Sequence, residues 1–267
     1  MEIVLVHVGA KLPQHTHDCV EQIVKYSKEN VVLLTDADTK IVGGQVVKVP
    51  TPNDTFLSGF WAHTLNRLKV LSDYMASNST EDVIHIENDV LIYHDPMDLL
   101  DIFRAISKDR VLITALGQSH LSAAYMYIPH KKAIGRLCDV MYEHFSMGHE
   151  ELKAHIGYSF VSEMTVLDHI YKKHDAPIGL LPIMPNDQYL DLFKAVFDPA
   201  SYGQYIGGIQ TNPGVNWAGN HHLIGKKINK GELQPVFENG KPYVIGGDTR
   251  WPINNLHIHS KDLKRWM

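Results

Sequence analysis

Through the first 173 residues the chain alternates between two hydrophobic patterns. Short continuous apolar runs, rich in Val and Ile and bounded by polar clusters, have the character of strands buried on both faces. They fall at 2–8, 31–34, 46–49, 83–86, 90–93, 111–115 and 123–128. Between them, apolar residues recur at three- and four-residue spacing, which predicts helices over 17–27, 60–75, 97–106, 131–145 and 162–173. The clearest is 60–75, where Phe60, Trp61, Leu65, Leu68, Leu71 and Met75 make one broad stripe. Strands alternating with helices predict an α/β fold, a three-layer α/β/α sandwich with a mainly parallel central sheet, because parallel strands need crossover connections. From Pro182 to Pro252 the texture changes to Gly, Pro, Asn and Tyr with little periodicity. This predicts a loop-rich C-terminal third, the kind of segment that forms lids and binding loops. No low-complexity linker or internal repeat divides the chain, so a single domain over 1–267 is expected.

Composition narrows the class. With 267 residues, 44% of them hydrophobic, the chain can bury a sizeable core. It carries 25 basic against 30 acidic residues, a net charge of −5, which argues against a broad nucleic-acid-binding surface. Cys19 and Cys138 are the only cysteines and neither belongs to a CxxC pair, so a disulfide framework and a zinc–thiolate site are not expected. The N-terminal apolar run contains Glu2 and breaks at His7, unlike a secretory signal, and no stretch approaches the ~20 apolar residues of a membrane span. A cytoplasmic protein is expected, with peripheral membrane contact left open. The unusual count is 17 histidines. Histidine is the commonest metal ligand, but only position makes a site.

The chemistry is concentrated after the apolar run 83–86, where Glu87-Asn88-Asp89 places two carboxylates at a strand end. In open α/β sheets ligands bind beyond the carboxyl ends of the strands. Two carboxylates there repel each other unless a cation or hydrogen-bond donors meet them. A hard divalent ion such as Mn²⁺ or Mg²⁺ suits that donor set and commonly bridges to phosphates. A solvated turn is the bland alternative. Thr35-Asp36-Ala37-Asp38 is a second acidic strand end. It reads either as an Asx-type turn or as a hydrogen-bonding site for a base or ribose. In 256–261, alternation puts His257 and His259 on one face if the segment is extended. An imidazole there could complete an oxygen-rich metal shell, and Lys261 could neutralise a phosphate. Two half-exposed histidines on an edge strand are the alternative. His15-His17 and His221-His222 sit in loop-like sequence and read as surface residues, with an acceptor loop as the alternative for His221-His222.

Taken in order, these pieces resemble the GT-A class of nucleotide-sugar-dependent glycosyltransferases over most of the chain, from residue 1 to 267. The strand from Ile3 to Val8 resembles the nucleotide-binding start of that fold. Arg67 resembles the basic residue presented to the nucleotide diphosphate. Glu87-Asn88-Asp89 is similar to the DxD metal motif, with Glu in place of the first Asp. Ala123-Ala124-Tyr125-Met126 resembles the strand behind the donor sugar. Val161-Ser162-Glu163-Met164 stands where an acidic xED motif is usual, with Met164 in place of its Asp. The ending from His257 to Trp266 is similar to the C-terminal His and Lys-Pro-Trp tail of glycogenin-like transferases, with Arg265 in place of Pro. Residues 197–208 are similar to a segment of uncharacterised bacterial and viral members.

The resemblance implies a nucleotide-binding half, 1–120, and a donor-sugar and acceptor half, 121–267. It implies a metal held by Asp89 with Glu87 and His257 or His259. It places Val8, Asp36, Arg67, Asn88 and Lys261, with Glu87, around a nucleotide-sugar donor, a UDP-sugar favoured over a GDP-sugar. The acceptor would be a hydroxyl, as on a glycan. An inverting reaction would need a carboxylate base within hydrogen-bond reach of that hydroxyl. Glu163 is the first candidate, with Asp198 and Asp168 behind it. Glu163 alternatively serves as an acid favouring a helix N-terminus. Tyr189, Phe193, Tyr202, Tyr205 and Trp217 could stack on sugars, although each by itself reads better as packing. Gly203, Gly207 and Gly208 would allow close approach to a ligand. A sugar-nucleotide nucleotidyltransferase ranks lower, because Gly9-Ala10-Lys11-Leu12-Pro13 has one Gly and one Lys where a Gly-rich basic loop is needed. A binding protein that kept the fold without activity is the non-enzyme alternative.

Overall fold

The computed structural model describes residues 1–50, 60–173, 175–208 and 222–267. Elements β1 (Glu2–His7), α1 (Gln14–Tyr26), β2 (Asn30–Thr35), β3 (Gln45–Lys48), α2 (Phe60–Asn78), β4 (Val83–Ile86) and β5 (Val90–Ile92) come first. A 3₁₀ turn at Pro96–Leu99 leads into α3 (Leu100–Ser107), followed by β6 (Val111–Gly117), β7 (His120–Ile128), α4 (Lys131–Phe145), α5 (His149–Ile156) and α6 (Glu163–Tyr171). The remainder holds β8 (Ile178–Leu180), α7 (Leu190–Phe193), α8 (Leu223–Asn229), β9 (Gln234–Glu238), β10 (Lys241–Gly246), β11 (Thr249–Pro252) and β12 (Asn255–His257).

A seven-stranded sheet in the order β3-β2-β1-β4-β7-β6-β8 forms the centre. All its neighbouring pairs are parallel except those of β7, which runs antiparallel to both β4 and β6. The period-2 geometry of a strand decides which layer each residue enters. Ile3, Leu5, Val31 and Leu33 join Cys19, Val20 and Ile23 of α1 and Phe103 of α3 on one face. Val4, Val6, Val32 and Leu34 join side chains of α2, α4, α5 and α6 on the other. The expected three-layer α/β/α sandwich with a mainly parallel sheet is thus present.

The C-terminal third is more regular than its composition suggests. β9, β10 and β11 form an antiparallel meander. β12 returns to pair antiparallel with β5 in a separate two-stranded ladder. Its register sets Val90 opposite His257, and the Ile258 N–H donates to the Asp89 carbonyl at 2.8 Å. The tail is therefore fixed against the residues that follow β4. Among the described residues, no helix is long and apolar enough to cross a membrane.

Candidate active site

β4 is buried at all four positions and aims the chain at the carboxyl edge of the sheet. There Glu87 N–H donates to Ala124 O on β7 at 2.9 Å, and Val90 N–H turns back to Glu87 O at 3.0 Å. This tight turn holds both acids at the mouth of a cavity of about 510 Å³. Val6, His7 and Val8 from the end of β1, Arg67 from α2, Glu163 from α6, and His257, His259 and Lys261 from the tail also line it.

Two linked charge clusters organise the cavity. In the first, Arg67 bridges two carboxylates: one guanidinium nitrogen binds Glu87 Oε1, and the other donates to Glu163 Oε1 at 3.1 Å. Burial disfavours the Arg67 charge, but Glu87 and Glu163 outweigh it and raise its pKa. Burial raises the Glu163 carboxyl above its usual range, with Arg67 opposing and Glu87 adding to the rise. In the second cluster, His257 Nε2 lies 3.0 Å from Asp89 Oδ2 and 3.6 Å from Glu87 Oε2, and Lys261 Nζ also binds Asp89 Oδ2. Burial opposes the Asp89 charge, yet His257 and Lys261 hold its carboxyl well below the ordinary value. Burial likewise opposes protonation of His257, which Asp89 and Glu87 overcome.

One ligand atom from each of Glu87, Asp89 and His257 lies within 4.8 Å of the others. Two oxygens and one imidazole nitrogen suit Mn²⁺, or Mg²⁺ with more water in the shell. His257 Nδ1 and Arg67 Nε are buried without a hydrogen-bond partner among the described residues. The set therefore fits a divalent cation with an anionic ligand beside it. His259 does not join that ligand group; its ring stacks on His257 at 4.3 Å with an interplanar angle of 10°. The shared face expected from the alternation exists, and in it His259 buttresses the ring of His257. Burial, with His257 next, lowers His259 to about 3, so it is a neutral support.

The other predicted residues divide. Val8 and Asn88 line the cavity. Asp36 accepts the Gly9 N–H at 2.7 Å, so it fixes the loop after β1. Asp198 is fully buried away from the cavity lining. Its carboxylate accepts from the backbone N–H groups of Ala200, Ser201, Tyr202, Gly203 and His257. It ties residues 198–203 to β12 and thereby positions a cavity histidine. Asp168 is engaged by Tyr158 Oη and by Lys172 Nζ. Tyr202 is fully buried and donates to Ile183 O at 2.7 Å, so it packs as expected of it singly. Gly203 does allow close approach, but to protein: a Cβ there would sit 2.3 Å from His257 O. Trp217 and His221 lie outside the described residues.

Sequence reasoning missed several histidines. His7 and His63 line the cavity, and His15 hydrogen-bonds Asn88; His222, open to an acceptor-loop reading, lines the cavity too. The missed signal for His7 is its place as the last residue of the first strand. His15 carries no local signal: it lies in the first turn of α1, and only the packing of the fold sets it beside Asn88.

No protein-family model matches the chain, and no curated protein matches it in sequence. Similar solved structures are found. The galactosyltransferase LgtC, solved in complex with donor and acceptor sugar analogs, is 14% identical with a TM-score of 0.47, over 69% of this chain and 76% of that one. The glycosyltransferase GlyE of Streptococcus pneumoniae TIGR4 is 13% identical with a TM-score of 0.45, over 78% of this chain and 48% of that one. Mouse xyloside xylosyltransferase 1, in its apo form, is 9% identical with a TM-score of 0.46, over 73% of this chain and 93% of that one.

Proposed function

We propose that this protein is a metal-dependent glycosyltransferase that moves a sugar from a nucleotide diphosphate sugar, a UDP-sugar favoured, to a hydroxyl acceptor such as a glycan. The observation that carries this reading is the convergence of Glu87, Asp89 and His257 with Arg67 and Lys261 on one cavity at the carboxyl edge of the sheet. Glu87, Asp89 and His257 would hold Mn²⁺ or Mg²⁺, and the bound ion would neutralise charge on the departing diphosphate. Lys261 has its side chain 46% exposed. It can turn from Asp89 to a phosphate oxygen once a cation takes over Asp89. Arg67 stays buried between Glu87 and Glu163, and its unpartnered Nε adds a donor and positive potential where leaving-group charge develops. Val8 and Asn88, with the loop that Asp36 fixes, contribute the nucleoside side of the pocket. Glu163 is the base candidate: it faces the cavity, and its raised pKa brings its proton affinity closer to that of a neutral-pH base.

The test is thermal unfolding with UDP- and GDP-sugars, with and without Mn²⁺. A ligand at a hundred times its Kd stabilises the native state by about 2.7 kcal/mol. That corresponds to a Tm rise of about 5 °C or more in a domain of this size. The rise should require Mn²⁺ and disappear in Asp89→Asn. Absence of a Mn²⁺-dependent rise with every nucleotide sugar tried, or a full rise in Asp89→Asn, overturns the reading.

A further inference from the structure

Three histidines outside the cavity meet where α4, α5 and α6 pack together. His144 lies in the last turn of α4, His155 near the end of α5, and His169 in the last turn of α6. Their ring centroids are 5.6, 5.5 and 5.1 Å apart in pairs. One ring nitrogen from each lies within 4.8 Å of the other two. Each helix presents its histidine to the same point, although the residues are far apart in sequence.

The details are those of ligands. His144 is buried, and its Nδ1 is held by the Val140 carbonyl at 2.7 Å. That bond requires the proton on Nδ1 and leaves a lone pair on Nε2, the arrangement by which outer partners orient metal-binding imidazoles. His169 Nε2 is buried with no hydrogen-bond partner among the described residues. His155 is exposed, so its ring is free to adjust and the corner is open to solvent on that side. Lys173 is a competing charge, with its Nζ 3.3 Å from His144 Nε2. Its stem lets it swing to water, freeing that lone pair.

We propose that His144, His155 and His169 form a second metal site, selective for a borderline divalent ion of the zinc class. Three imidazoles and no carboxylate make a nitrogen set, which suits Zn²⁺, Co²⁺, Ni²⁺ or Cu²⁺ and discriminates against Mg²⁺ and Mn²⁺. This donor set is opposite in character to the oxygen-rich one at Glu87 and Asp89. Tetrahedral zinc at 2.0–2.1 Å from each nitrogen needs nitrogens about 3.3 Å apart. Small rotations of the exposed His155 and its neighbours close that gap. A water would take the fourth position on the open side. The ion would clasp three helices, and one of them carries Glu163 at its other end, about 9 Å of helix rise from His169. The site is independent of the proposed glycosyl transfer.

The test uses the full chain without an affinity tag, stripped with EDTA, in the Asp89→Asn/His257→Gln background so that the cavity cannot bind the ion. Titration with ZnCl₂ should show one equivalent bound at micromolar concentration, with a rise in Tm, and no comparable response to MnCl₂. CoCl₂ should give the intense visible absorption of a tetrahedral nitrogen site. Adding His155→Ala, an exposed position whose loss does not threaten folding, should weaken zinc binding at least tenfold and abolish the cobalt band. His169→Gln should do the same. No zinc equivalent in the background variant, or unchanged zinc binding after both substitutions, overturns the proposal.

Discussion

At the residue scale the cavity depends on Arg67. It is the buried cation between two carboxylates, Glu87 and Glu163. Removing one partner of such a set leaves charge uncompensated in a poor solvent, at a typical cost of about 3–5 kcal/mol. Arg67→Met should therefore lower stability by about 3 kcal/mol, and adding Glu163→Gln should recover at least about 1 kcal/mol of it. Urea midpoints of wild type, both single variants and the double variant check this; strictly additive losses would mean that Arg67 does not compensate Glu163. A second case is His94, whose Nδ1 meets Asn254 O at 3.1 Å while burial holds its pKa down to about 4 from 6.5. Because the folded pKa is depressed, the unfolded chain binds the extra proton between those values. Stability is complete above pH 6.5 and falls as pH drops towards 4. His94→Asn keeps a donor to Asn254 and removes the titration. The stability advantage of wild type over this variant should shrink by about 2 kcal/mol from about pH 7 to about pH 5. An advantage of equal size at both pH values refutes it. Legibility at this scale follows local context. Glu87 and Asp89 can be read because an apolar strand delivers them to a known ligand-binding edge. His144, His155 and His169 cannot, because each is an ordinary helix residue until three helices meet.

At the element scale, what can be read tracks how completely an element is buried. β4 and α4 fall at the expected positions, since all of β4 and a full face of α4 are buried. α5 has no clear sequence signal because it buries only Leu152 and Ile156, one spacing that makes no stripe. β8 has three residues, β9 has no fully buried position and β11 is largely exposed, so neither periodicity nor composition marks them. β12 is expected only conditionally, and its pairing with β5 is set by the whole fold. Two glycines test how elements hold the site. At Gly135, within α4, an added Cβ would meet nothing within 4 Å, whereas at Gly203 it would meet His257 O at 2.3 Å. Gly135→Ala should stabilise by about 0.5–1 kcal/mol, through lower entropy of the unfolded chain. Gly203→Ala should cost about 2 kcal/mol or more, because backbone must move. It should also reduce the Mn²⁺-dependent donor response, since the atom displaced belongs to His257. Equal effects of the two substitutions on denaturation midpoints, or an unchanged Mn²⁺ response in Gly203→Ala, would detach that loop from the site.

At the scale of the whole molecule, the net charge of −5 does not describe the cavity, where Arg67, Lys261 and His257 gather against Glu87, Asp89 and Glu163. These residues come from both sides of the expected division at residue 120, and so does the sheet. β4 lies between β1 and β7, and β6 between β7 and β8, so strands from the two halves interleave within one hydrogen-bonded sheet. The β5–β12 ladder joins residues remote in sequence, and Tyr93 Oη donates to Trp266 O at 2.8 Å beside it. Neither half can be opened without exposing the strand edge and apolar face of the other. Unfolding should accordingly be one cooperative transition, with the site lost in the same step. The fluorescence of Trp61 in the first half and of Trp217, Trp251 and Trp266 in the second follows both, and far-UV circular dichroism reports the helices. Urea curves from the two probes should coincide. Separated midpoints would mean that the halves are independent folding units, and that the cavity is an interface between them.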